Sequence, residues 1–131
     1  MIWDMTLSVG NGLIDSQHKK LVELTNQVET IFNQSERDLR DYDEIIRIII
    51  KLNFYVMNHF RDEELLLKEI GFPELEAHKV EHAKFVSFLD SITTDRLDLK
   101  EEEVLKNLLN FLSGWILEHI KGSDFKYKAY L

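Results

Sequence analysis

Residues 45–70 read IIRIIIKLNFYVMNHFRDEELLLKEI. Apolar side chains recur at every third or fourth position, so Ile45, Ile48, Ile49, Leu52, Val56, Leu66, Leu67 and Ile70 share one stripe of a helix. Two members of that same stripe are polar, His59 and Glu63. An uncompensated charge in a buried position costs on the order of several kcal/mol. Residues four apart on a helix stand on one face with Cβ atoms about 5–6 Å apart. A helix that places a histidine and a carboxylate together on its core face therefore calls for a partner that makes their burial favourable.

Working outward, three more amphipathic helices are legible. One is predicted from Asp15, as N-cap, to about Gln34, with Ile14, His18, Leu21, Val22, Val28, Ile31 and Phe32 at helical spacing. The helix containing 45–70 should begin near Asp41, where Asp41 and Glu44 resemble a capping box. Gly71 is placed to end it, and Pro73 to occupy the first turn of the next helix. That third helix carries Leu75, His78, His82, Phe85, Val86, Leu89 and Ile92. The fourth is announced by Asp98 with Glu101 three residues on, and carries Val104, Leu105, Leu108, Leu112, Trp115, Ile116 and His119. No strand-like alternation of useful length, internal repeat or low-complexity stretch occurs. Four such helices joined by short loops predict an all-α, up-down-up-down four-helix bundle, with residues 1–131 as a single domain and Trp3 packing the N-terminal segment onto it.

Composition is that of an ordinary globular chain: 131 residues, 44% hydrophobic and 31% charged. The net charge of -8 at pH 7 argues against nucleic acid or an anionic membrane as partner, since no basic patch is available to meet phosphate. With no cysteine, disulfides, thiolate metal sites and thiol redox chemistry are excluded. No secretory signal and no apolar run approaching the roughly 20 residues of a bilayer span are visible, so a cytoplasmic protein is expected; the acidic surface and full domain point to a monomer.

The five histidines form one pattern with two carboxylates: His18, His59-x-x-x-Glu63, His78-x-x-x-His82 and His119-x-x-x-x-Asp124. Singly, each has a bland explanation. A lone His-x-x-x-His is more often a surface pair, and i,i+4 polar pairs are common on solvated faces. Jointly, six polar residues replace apolar ones on four core stripes, and a pair of divalent metal ions would turn those burdens into bonds. His119 and Asp124, five apart, do not share a face of a regular α-helix. A π-turn or a helix end is therefore predicted near Lys121 to Ser123, where Gly122 permits either. Metal-bound histidines usually donate their second ring N–H to an oxygen acceptor. Gln17, Glu23 and Glu81 lie near ligands in sequence, with the glutamates expected to face solvent.

Together these residues resemble the single-domain bacterial hemerythrins over essentially the full chain. The resemblance extends to Trp3, the run Gly12-Leu13-Ile14-Asp15-Ser16-Gln17-His18, the Gly71-Phe72-Pro73 turn, and the Trp115…His119…Asp124…Tyr127 ending. It implies two non-heme irons joined by an oxo or hydroxo bridge. His78, His82 and His119 would hold one iron, His18 and His59 the other, with Glu63 and Asp124 bridging. The second iron would keep an open position, where dioxygen binds. By helical spacing around the ligands, Leu21, Phe60, Trp115, Ile116 and Ile120 would line a dry apolar oxygen pocket.

The implied function is reversible dioxygen binding, for storage or for delivery to an oxygen-consuming enzyme, rather than catalysis. The alternatives are a stand-alone oxygen or redox sensor and a peroxide-handling di-iron protein. Di-iron enzymes built in helical bundles typically use several glutamates and Glu-x-x-His pairs. No histidine here belongs to such a pair, and no output module is expected beyond the site.

Overall fold

A computed structural model describes residues 2–94 and 102–131 of the chain. It contains four helices: α1 (Gly12–Phe32), α2 (Leu39–Glu69), α3 (Leu75–Thr94) and α4 (Glu102–Glu118). A π-helical turn (His119–Ser123) and a 3-10 segment (Asp124–Tyr130) continue α4, and a short 3-10 turn (Met5–Leu7) precedes α1.

Helix directions follow from contacts between their ends. Gln17, near the start of α1, donates to Asp62 near the end of α2 at 2.8 Å, so α1 and α2 run antiparallel. Arg37, just ahead of α2, pairs with Glu102 at the start of α4, so α2 and α4 begin at the same end. The short connection 70–74 returns α3 alongside α2, completing the up-down-up-down bundle. Each helix turns its apolar stripe inward. Val28, Ile45, Leu52, Phe85, Leu89, Leu105, Leu108 and Leu112 are fully buried, each contributing roughly 1.5–3 kcal/mol of burial. A smaller cluster of Val9, Ile14, Leu67, Phe72 and Tyr127 lies beside the main core, and Trp3 packs against the main core as expected.

Helix ends depart from the sequence reading in instructive ways. Helix α1 starts four residues early, capped by Asn11 rather than Asp15; the Asn11 side chain accepts from the Ile14 N–H at 3.0 Å. Asp15 sits inside the first turn and accepts from the Val9 N–H at 2.8 Å, tying down the incoming segment instead. The helix also stops at Phe32, with Asn33 rather than Gln34 closing it. In α2 the capping box is Asp38 with Asp41, each side chain accepting from the other's backbone N–H at 3.0 and 2.9 Å. Glu44 pairs with Arg47 one turn later. Both departures have one cause: several residues with capping side chains, Asn11 and Asp15 at the start of α1 and Asp38, Asp41 and Glu44 at the start of α2, were available, and backbone geometry chose among them.

Gly71 ends α2 as predicted, with φ +70°. The Phe72 N–H bonds to the Leu67 carbonyl and the Gly71 N–H to that of Lys68, the paired closure that requires a left-handed residue. Pro73 lies in the connecting turn, two residues ahead of α3, rather than in its first turn. The cap predicted at Asp98 and Glu101, and the side chain of Ile92, lie outside the described residues.

Candidate metal centre

Four helices and the π-turn bring all seven sequence-predicted ligands to one buried point. His18, His59, Glu63, His78, His82, His119 and Asp124 are each at most 5% exposed. His18 comes from α1, His59 and Glu63 from α2, His78 and His82 from α3, and His119 and Asp124 from the two ends of the π-turn. Within that turn the Asp124 N–H bonds to the His119 carbonyl, five residues back. The wider turn swings Asp124 back onto the face of His119, which is the distortion the five-residue spacing demands.

The carboxylates divide their oxygens between two groups of histidines. Glu63 Oε1 lies 2.6 Å from His78 Nε2, 3.0 Å from His82 Nε2 and 3.6 Å from His119 Nε2. Its other oxygen lies 3.6 Å from His18 Nε2 and 3.5 Å from His59 Nε2. Asp124 repeats the division, with Oδ1 at 2.9 and 3.0 Å from His78 and His119 and Oδ2 at 3.0 Å from His18. Two donor groups result, Glu63 with His78, His82 and His119, and Glu63 with His18 and His59.

A metal pair fits this arrangement. Two donors about 2.1 Å from one ion and at right angles to each other lie about 3.0 Å apart, which is the scale of these separations. His82 Nε2 and His119 Nε2 approach to 3.1 Å, a contact between two like atoms that a shared cation explains. The close approaches of Asp124 to His18 lack hydrogen-bond alignment, leaving both oxygens of Asp124 and both nitrogens of His18 without a hydrogen-bond partner. These atoms aim at a common point rather than at one another. Imidazole with carboxylate suits a first-row divalent metal, iron among them.

The protonation balance of the chain's own groups points the same way. Burial disfavours a charged His18, but Asp124 and Glu63 outweigh it and raise the group to about 9. The same opposition lifts His78 to about 9 and His119 to about 10. His59 is dominated by burial and falls to about 4. Burial also opposes ionisation of Asp124 and Glu63, yet the histidines hold Asp124 at about 2 and Glu63 well below the usual carboxylate range. Two buried anions thus demand cationic compensation, which protons or metal ions can supply.

Outer hydrogen bonds fix the rings. His59 Nδ1–H donates to Gln17 Oε1 at 2.6 Å, and Gln17 donates onward to Asp62. His119 Nδ1–H donates to Glu81 at 2.8 Å and His82 Nδ1–H to Glu64 at 3.0 Å. Glu81 is partly exposed and also accepts from His119, correcting the expectation that it merely faces solvent; Glu23 is exposed. Glu64 had not been singled out, and Tyr127, named only as part of the family-like ending, donates its hydroxyl to Glu63 at 3.1 Å. Glu81 neighbours His82 in sequence but serves His119 from another helix, so adjacency in the chain was the wrong signal. Phe60 stacks on His82 with centroids 3.8 Å apart, and Trp115 on His119 at 4.3 Å.

A cavity of about 10 Å³ lies on the His18 and His59 side. Its walls are Leu21, Phe60, Trp115, Ile116 and Ile120, all five residues predicted for the oxygen pocket, together with His18, His59 and His119. That volume has room for about one molecule of water's size.

Comparison with known proteins agrees with this geometry. Residues 9–131 match the Hemerythrin HHE cation binding domain. The chain is 34% identical to a bacteriohemerythrin of Clostridium acetobutylicum over 127 residues, covering 96% of this chain and 97% of that protein. It is 35% identical to a hemerythrin-like protein of Naegleria gruberi, covering 98% and 92%. A myohemerythrin of Theromyzon tessulatum is 30% identical with the same coverage. Among solved structures, wild-type hemerythrin superposes with a TM-score of 0.80 at 24% identity, covering 100% of this chain and 97% of the other. A buried histidine–carboxylate cluster at the centre of a four-helix bundle, in a sequence alike end to end, places this chain in the hemerythrin family.

Proposed function

We propose that the chain binds dioxygen reversibly at a pair of non-heme irons, for storage or for delivery to an oxygen-using enzyme. His78, His82 and His119 would hold one ion, His18 and His59 the other, and Glu63 and Asp124 would bridge them. The observation that carries this reading is the split of each carboxylate's two oxygens between two histidine groups, beside an apolar cavity on the two-histidine side. When bound, two ferrous ions supply the two electrons that dioxygen takes up and returns on release.

The protein's own contribution is positional. Gln17, Glu64 and Glu81 fix the tautomers of His59, His82 and His119, so that each Nε2 lone pair faces the centre. Tyr127 holds Glu63 in its bridging orientation. Its phenol is itself raised above the ordinary value, first by burial and then by the neighbouring carboxylates, so it stays a donor. Leu21, Ile116 and Ile120 keep water out of the cavity, because they offer no partner for its hydrogen bonds. Shut away from solvent, the site gives bulk water no ready route to deliver the proton that would make binding irreversible. We further propose a single domain acting as a monomer in the cytoplasm. Among the described residues no helix is long and apolar enough to cross a membrane.

The test is the optical spectrum of the reduced, iron-loaded protein before oxygen, with oxygen, and after its removal. A visible charge-transfer band that appears and then disappears is expected. Immediate conversion to a stable diferric spectrum would overturn reversible binding and favour a redox sensor.

A further inference from the structure

The outer hydrogen bonds differ in charge between the two histidine groups. In the three-histidine group, His82 and His119 each donate to a carboxylate, Glu64 and Glu81. Ser123 also donates to Glu81, which anchors that carboxylate across from α3. In the two-histidine group, His59 donates to the neutral amide of Gln17, and His18 Nδ1 is buried without a hydrogen-bond partner. The Gln17 amide cannot turn over to present a different face, because its Nε2 donates to Asp62 at 2.8 Å. An anion on the outer N–H makes an imidazole a better donor to its metal, whereas an amide oxygen does so weakly. The bridging carboxylates are shared, so they do not offset this difference.

We propose that these outer partners make the two metal positions unequal: Glu64 and Glu81 strengthen the position formed by His78, His82 and His119, and neutral Gln17 leaves the His18–His59 position the first to lose its ion. The inference rests on reading the seven residues as a two-metal site. It makes Gln17, Glu64 and Glu81 positioning residues with opposite consequences. The weaker position is also the one beside the apolar cavity, so the ion with fewer protein ligands has the less basic ligands as well.

The experiment is extraction of zinc(II) from the zinc-loaded full chain by a chromogenic chelator, which follows metal release without any oxygen chemistry. Two phases of about one ion each are expected, and His59→Ala should abolish the fast one. Glu81→Gln and Glu64→Gln keep an oxygen acceptor but remove its charge. Each should accelerate the slow phase about 10–100-fold, the usual effect of losing an outer partner, and leave the fast phase alone. Gln17→Glu combined with Asp62→Asn preserves the hydrogen bond between those positions while placing an anion on His59, and should retard the fast phase by a similar factor. The proposal is overturned if the two glutamate variants leave the slow phase within about twofold of the parent. It is equally overturned if they speed both phases alike, or if His59→Ala removes the slow phase. Circular dichroism on each variant separates these outcomes from misfolding, and Glu81, on the rim of the site, is the variant least exposed to that risk. Uptake of fewer than two zinc ions would refute the two-metal reading itself. A chain that passes here yet gives no reversible band with oxygen would refute only the oxygen reading.

Discussion

Leu21→Ala is the sharpest test of how the cavity works. Leu21 is 3% exposed and forms one wall of a space of about 10 Å³. Removing three carbon groups forfeits about 2.4 kcal/mol of transfer free energy, at roughly 0.8 kcal/mol each. A residual void of about 50 Å³ would add about 1.2 kcal/mol, at roughly 24 cal/mol per Å³. The total, about 3.6 kcal/mol, lies inside the roughly 2–5 kcal/mol seen for buried leucines elsewhere. The void also exceeds the roughly 30 Å³ share of one water molecule. Water would then stand beside the ligand His18, and a proton source would reach a site that the parent keeps dry. Equilibrium urea unfolding should show the stability loss, and decay of the oxygenated band should show autoxidation at least several-fold faster. Leu21→Met, which conserves volume, should lose less than about 1.5 kcal/mol and autoxidise near the parental rate. If Leu21→Ala is destabilised as calculated but autoxidises no faster, the cavity is packing and not the oxygen pocket.

Three further expectations concern the ligands and the fold. His78→Ala should lower bound iron and destabilise the bundle, since it leaves Glu63 Oε1 and Asp124 Oδ1 short of a shared partner; a variant with two irons and parental stability refutes its role. In the chelated chain, folding raises His18, His78 and His119 from 6.5 to about 9, 9 and 10. Groups raised on folding stabilise fully below the unfolded value and lose that contribution as pH climbs through the folded one. Stability of the metal-free protein should therefore fall between about pH 6.5 and 10, while metal affinity rises over the same range because ligation needs neutral imidazole; paired urea titrations at pH 6 and 9 with and without chelator check this, and metal-free stability that holds or rises refutes it. Gly71→Ala should cost about 1–2 kcal/mol through its φ of +70°, with no change in metal content; an unchanged unfolding midpoint would show that the α2 terminus can close another way.

The candidate site was legible where chemistry forced it. A histidine at 59 and a glutamate at 63 on the stripe of Ile45, Leu52 and Val56 have no bland explanation that survives repetition on three other helices. The five-residue step from His119 to Asp124 required a distorted turn, and the π-turn is there. The residues lining the cavity followed from the histidine positions by helical spacing, because a helix fixes which side chains flank a given face. Helix ends were read less well. Asp15, Asp38, Asp41 and Glu44 all have capping chemistry, and only the path of the preceding chain decides which side chain meets an orphan N–H.

By itself the sequence determined the number and facing of the helices, the seven polar positions on their core stripes and the turn at Gly71, since each depends on periodicity or on the conformational limits of one residue. The tertiary structure decided what lies across a helix interface: that Glu81 serves His119 rather than its neighbour His82, that Glu64 serves His82, that Gln17 is locked between His59 and Asp62, and that Tyr127 reaches Glu63 from the far end of the chain. These partners sit 18 to 64 residues apart on different elements, and no local rule sets the rotation of one helix against another. That rotation is fixed only when every stripe packs at once, which is why the buried polar positions could be read from the chain and the groups that hydrogen-bond to them could not.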